Sequence, residues 1–261
     1  MSPAMLTAGV CVLLIVQAGE GRADTCVLSP LHVGLTFPVE RVDQKWACRL
    51  QPVIQDYTTA NKIGPLRTPL PERLYASFLD RPPLAAALAR RMGHASYQVV
   101  QRGADRYEVS DGEGLEGNID LVYRDPTSRI YYLDGAYARA WLPRVTGKAV
   151  VLIRMSPAKD SKGNDAMDTT MVSYIRLNSR VLAGVASLLR PLIGSGVVRK
   201  FTRVVDAANR LSQDMKSIPD RVLEKASAPP GIPPEEMAFL TRALAELRES
   251  GKLNTKDDIS P

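Results

Sequence analysis

The stretch from Val197 to Ile218 constrains this chain more than any other. Its apolar residues, Val197, Phe201, Val204, Ala208, Leu211, Met215 and Ile218, fall at spacings of 4, 3, 4, 3, 4 and 3. That rhythm holds one apolar stripe along one side of an α-helix for about six turns. Charged residues fill seven of the fifteen remaining positions, among them Arg199, Lys200, Arg203, Arg210 and Asp214, and Pro219 ends the pattern. A helix this long and this one-sided needs an apolar surface of similar length to lie on.

The chain supplies that surface upstream, where the period changes from 3.6 to 2. Between Ala95 and Asn178 we read about six strands with hairpin-length connections, an antiparallel meander with one wet face. Tyr97–Arg102 and Arg106–Val109 form a hairpin around Gly103-Ala104-Asp105. Leu115–Arg124 and Ile130–Tyr137 are joined at Asp125-Pro126-Thr127-Ser128, a turn tetrad with proline at its favoured position. Lys148–Ser156 and Met167–Asn178 are two longer strands. On these strands Ile119, Leu121, Tyr123, Tyr131, Leu133 and Tyr137 alternate with polar residues, so they are expected to face inward. The same test turns Val151, Ile153, Met155, Met171, Ser173 and Ile175 inward. Tyrosine and methionine mixed with aliphatics suit either a packed core or a cavity for a flexible apolar ligand.

Flanking this block, Leu74–Leu79 and Leu84–Met92 read as helices, the second stopped by Gly93. Arg180–Ile193 reads as an extra, nearly all-apolar helix ahead of the long one. Ala226–Pro234 is proline-rich and reads as a linker. After it, Met237, Leu240, Leu244 and Leu247 make a narrow stripe on a last helix that stops by Gly251, followed by a tail without pattern.

At the other end, Met5–Ala18 is an uncharged apolar run too short to span a bilayer comfortably, followed by small and polar residues. It reads as a signal peptide, residues 1–23, cut after Ala23; an uncleaved anchor is the alternative. Export leaves Cys26 and Cys48 as a pair in an oxidising compartment, read as a disulfide over two free thiols. The loop closed would be about 23 residues, worth roughly 3 kcal/mol. Residues 24–72, broken by prolines, read as an irregular lead-in, leaving 73–225 as the main domain, 226–234 as linker and 235–261 as helix and tail.

Net charge is +6, with the basic excess concentrated in residues 57–225. Export removes nucleic acid as a partner and leaves solubility or an anionic membrane surface as the reason for that charge. The outer face of the long helix, Arg199, Lys200 and Arg203, is the part that would approach headgroups.

Cofactor and metal chemistry find little support. The two histidines, His32 and His94, have no partners in ligand spacing, and no Walker loop or G-x-S-x-G occurs. Gly112–Gly117 spells G-x-G-x-x-G but leads into a strand, so it is not a dinucleotide loop. Asp111 and Glu113 in "DGEG" invite a metal or acid–base reading. The glycines at 112, 114 and 117 favour a turn with positive φ and a bulged strand start. No cofactor and no metal is expected.

Helix, antiparallel strands in sequence, then a long amphipathic helix is the element order of the START-like (helix-grip) superfamily. The chain resembles it over Leu74–Leu223, through that order, the Val197–Ile218 helix and the strand text "LPRVTGKAVVLIRM … TTMVSYIRLNSRVLAG". The resemblance implies an α+β fold whose curved sheet wraps the helix around an apolar tunnel. It also implies binding of lipids, sterols, polyketides or hormones, with some members enzymes. The ligand site expected here joins the inward strand residues, Tyr123 among them, to Phe201, Val204 and Val205 of the helix, holding a hydrophobic or lipid-like small molecule. Two alternatives stand beside it: an enzyme of this fold using Asp111, Glu113 or Asp120, and an envelope module whose Met237–Leu247 helix docks on a partner.

Overall fold

The elements follow one another as β1 (Leu31–His32), β2 (Leu35–Thr36), α1 (Gln44–Gln55), β3 (Thr59–Thr68), α2 (Glu72–Leu79), α3 (Pro82–Arg91), β4 (Gln98–Gln101), β5 (Arg106–Ser110), β6 (Leu115–Arg124), β7 (Ser128–Arg139), β8 (Leu142–Lys159), β9 (Asp165–Leu177), α4 (Ser195–Ser217), α5 (Pro219–Ser227) and α6 (Pro234–Asp257). This computed structural model describes residues 26–139, 142–161, 163–178 and 195–257. The stretches read as a signal peptide, 1–23, and as an extra helix, Arg180–Ile193, lie outside the described residues.

β3 to β9 form one seven-stranded antiparallel sheet in the order β3-β9-β8-β7-β6-β5-β4. β4 to β9 run as the expected meander, each pairing with the next. The fold is therefore α+β, an antiparallel sheet on a long amphipathic helix. β3 is a strand within the stretch expected to be an irregular lead-in. It pairs with β9 along its length and slips register between Ile63 and Leu66, at Gly64-Pro65. Proline donates no ladder hydrogen bond, so it belongs on an edge strand or a bulge, and here it has both.

The sheet face expected to be wet is covered. Ile130, Tyr132, Val150, Leu152, Val172 and Tyr174 pack against Phe37, Val39, Val42, Leu50 and Val53. The lead-in thus contains a hairpin and α1, whose Pro52 sits in its last turn, and it seals this face. The Cys26–Cys48 disulfide ties the start of that segment to α1.

On the other face lie α2 and α4. Tyr75 of α2 hydrogen-bonds Thr169 of β9 at 2.7 Å, and Thr68 of β3 donates to Asn209 of α4 at 2.8 Å. A second core gathers Leu74, Leu88, Leu211, Met215, Val222, Leu240 and Leu244 from α2 through α6. The stripe on α6 is therefore filled from within the chain, and the helix runs on past Gly251 to Asp257. Nor is the 226–234 stretch a free linker: Arg91 donates to the carbonyls of Lys225 and Ala228 and to that of Pro230.

Candidate functional site

Directly paired strand residues share a face, so the register defines the site as a set of rows across the sheet. One row runs Asn61, Ser173, Val151, Tyr131, Leu121, from β3 to β6. Its neighbour on one side runs Ile63, Met171, Ile153, Arg129; its neighbour on the other runs Thr59, Ile175, Ala149, Leu133, Ile119, Tyr107. Because Thr169 and Thr68 carry the contacts to α2 and α4, these rows are the face turned toward the long helix. Of the strand residues expected there, the structure brings Ile119, Leu121, Tyr131, Leu133, Tyr137, Val151, Ile153, Met155, Met171 and Ile175 onto this one face.

Tyr123 is the exception. The ladder slips between Leu121 and Tyr123, which places Tyr123 opposite Ile130. It packs with the α1-side core and donates to Asp125 at 2.9 Å. One inserted residue moves every later side chain to the opposite face, which simple alternation cannot foresee. Val204 is a second correction, for it is 45% exposed. It shares the stripe with Leu211 and Met215, yet the helices that bury those two cover only the later turns of α4. Phe201 and Val205 are half-buried.

The next row toward α4's N-terminus is made of glycines. Gly117, Gly135 and Gly147 are paired in register across β6, β7 and β8. A Cβ on Gly117 would stand 2.6 Å from the Asp134 carbonyl oxygen, and one on Gly135 would stand 2.7 Å from that of Glu116. Backbones can approach this closely only without side chains, and such a glycine line lets a sheet curl sharply. Gly117 is therefore a close-packing position within β6, whereas Gly112 and Gly114, with φ of +70° and +110°, build the turn before it.

That turn docks the helix. Asp111 is buried, and its Oδ1 accepts from the backbone N–H of Glu113 at 2.7 Å and of Leu115 at 2.9 Å. Its Oδ2 accepts from Lys200 of α4. Glu113 pairs with Lys200 at 3.4 Å and Arg203 at 3.1 Å. Burial pushes the Asp111 carboxyl up, but the Lys200 ammonium and the two backbone N–H groups outweigh it and hold its pKa below the usual carboxylate value. Burial likewise works against the Lys200 charge, and Asp111 and Glu113 overcome it, so its pKa is raised. Lys200 Nζ also lies 5.8 Å from the centre of the Tyr137 ring. Asp120 lies elsewhere: it pairs with Tyr132 on the α1 side and faces Arg106 at 3.6 Å.

The acids weighed as catalytic groups are thus accounted for as a helix anchor and a strand pair. Two of the three helix cations weighed for a membrane surface, Lys200 and Arg203, are held by those acids. Among the described residues no group of three or more His, Cys, Asp or Glu is placed to hold a metal ion, and no helix is long and apolar enough to cross a membrane.

The floor between the anchored ends of α4 is apolar and incompletely closed. Ile119, Leu121, Tyr131, Leu133, Ile153 and Ile175 are all half-buried. Burial raises the Tyr131 pKa, Arg129 opposing it, so the phenol stays neutral. Beyond Arg129, at the β6–β7 end of the sheet, a surface cleft of about 630 Å³ opens beside Arg73 and Ala76 of α2.

No protein-family model matches the chain, and no curated protein matches it in sequence. Solved structures with a similar outline include a conserved protein from Geobacillus kaustophilus, at 12% identity and a TM-score of 0.40, covering 59% of this chain and 95% of that one. Norcoclaurine synthase from Thalictrum flavum is similar at 16% identity and a TM-score of 0.39, over 61% of this chain and 90% of its own. The di-domain ARO/CYC BexL of the BE-7585A biosynthetic pathway is similar at 16% identity and a TM-score of 0.34, over 66% and 55%.

Proposed function

We propose that this chain is an exported protein that binds or shuttles a hydrophobic, lipid-like ligand between the curved sheet and the long helix. The observation that carries it is the half-buried apolar floor of Ile119, Leu121, Tyr131, Leu133, Ile153 and Ile175, on the face turned to α4. A folded domain gains by burying such a surface completely. Leaving it part-open between two anchored helix ends suits a site completed by a guest. The disulfide and the signal-like N-terminus support an oxidising, extracytoplasmic setting.

An enzymatic reading needs an acid or base at that floor. Asp111 is committed to Lys200 and two amides, Glu113 to two cations, and Asp120 lies on the far face. Binding is therefore the reading the geometry favours.

The test is extraction of the purified full chain into organic solvent with mass spectrometry of what co-purifies, beside uptake of the dye N-phenyl-1-naphthylamine. Co-purified lipid or saturable dye uptake that Ile153→Asp abolishes is the expected result. No lipid and no dye uptake by the folded protein overturns the proposal.

A further inference from the structure

Two polar atoms that face each other on the floor have nothing to bond. Ser173 is 1% exposed, and its hydroxyl has no hydrogen-bond partner. Asn61 Nδ2, directly opposite it across the β3–β9 ladder, is also buried without a partner. Each such orphan costs the fold about 1–3 kcal/mol, and apolar residues of similar size would remove the cost. Two adjacent orphans on one row, pointing to the side of the sheet that faces α4, are hard to account for by packing alone. Further along the row, the Tyr131 hydroxyl has no hydrogen bond among the described residues.

The chemistry of the pair selects its guest. An amide N–H can only donate, and a serine hydroxyl can donate at the same time. A carbonyl oxygen has two lone pairs and satisfies both. The flanking positions are Ile63, Met171, Val151 and Ile153, and the charged residues of these rows are Arg129 and its direct partner Arg124, which faces Asp105 at 3.6 Å. Arg129 is bonded through its terminal nitrogens to Asp80 at 3.2 Å and to the carbonyls of Asp125 and Ser128, its Nε is buried without a partner, and it stands two strands away from Ser173. A carboxylate placed at Ser173 would be buried without a counter-charge, so the guest must be neutral there.

We infer that Asn61 and Ser173 form a polar subsite for the carbonyl oxygen of a neutral, otherwise apolar ligand, a ketone or an ester with an alkyl body. This rests on the ligand-binding reading above and adds the ligand's class.

The measurement is displacement of N-phenyl-1-naphthylamine from the full chain by 2-nonanone and by nonane, in the parent protein, Ser173→Ala and Asn61→Leu. Ser173→Ala is expected to weaken 2-nonanone by about tenfold, one lost hydrogen bond, and to leave nonane within about twofold. Thermal melting of the empty Ser173→Ala protein should be unchanged or higher, since an orphan hydroxyl has gone. That combination, weaker ketone binding with undiminished stability, is not produced by structural damage. If Asn61→Leu does not fold, the serine variant alone decides. Displacement by both compounds with equal effects of Ser173→Ala on each overturns the subsite and leaves the ligand cavity standing. Failure of the parent protein to take up the dye overturns the cavity, and the subsite with it.

Discussion

Asp111 shows what a single carboxylate in this fold does. One oxygen closes the glycine-rich turn on the amides of Glu113 and Leu115, and the other reaches Lys200 across to the long helix. Ser96 adds a hydrogen bond to the Asp111 carbonyl at 2.6 Å. Removing the charge leaves Lys200 part-buried and the amides with a weaker acceptor, so Asp111→Asn should cost about 2–4 kcal/mol. The pH dependence has a definite sign. The folded-state pKa is depressed, so this stabilisation is complete above the unfolded value of about 4 and is lost as pH falls through the folded one. Urea melts of parent and Asp111→Asn should therefore differ most at neutral pH and converge below about pH 4; a constant gap down to acid pH would refute the pairing. The sequence alone shows a turn here, because Gly112 and Gly114 punctuate it. The partner of Asp111 stands 89 residues away on another element and leaves no local trace. Tyr123 is harder still, for its face depends on one bulged residue that alternation does not reveal.

Among the elements, the strands of the meander are the most legible, since period-2 patterning over ten or more residues has few competing explanations. Leu115–Arg124 is such a run and forms β6 with those bounds. β3 and α1 were obscured by Pro65 and Pro52, residues that weigh against regular structure unless an edge bulge or a last helical turn excuses them. The glycine row belongs to this scale as well. Gly117, Gly135 and Gly147 are far apart in sequence, and only the register reveals that they stand side by side. Gly135→Val should force β6 and β7 apart at the Glu116 carbonyl and disturb the sheet beside the Asp111–Lys200 anchor of α4. We expect a loss of about 2–3 kcal/mol by chemical denaturation, in the range of overpacked sites. Dye uptake should fall even in the fraction that remains folded. A variant with parental stability and parental uptake would show that this close approach is not needed.

At the scale of the whole molecule, the sheet is a partition between two cores that serve different ends. On one side, five helices pack around Leu88, Met215, Leu240 and Leu244, leaving the floor near α4 only part-covered. On the other, the N-terminal segment lays Phe37, Val39, Leu50 and Val53 on Ile130, Tyr132, Val150 and Leu152 with almost no solvent access. The sealed core therefore gives the sheet a closed back, and under the proposed function the part-covered side is where a guest would enter. What holds the segment in place is its apolar face and the disulfide. Cys26 and Cys48 are 22 residues apart, and in the chain-entropy model a loop of that size is worth roughly 3 kcal/mol. Cys26→Ser with Cys48→Ser should lower the melting temperature by about six to twelve degrees for that loss. The cost should fall first on the segment itself: limited proteolysis is expected to cut between residues 26 and 43 in the double variant and not in the oxidised parent, while the α6 side stays protected. Uptake of dye at moderate temperature should survive, because the floor lies on the face away from the bridge. Loss of uptake together with the N-terminal cut would instead mean that the back of the sheet sets the shape of its front.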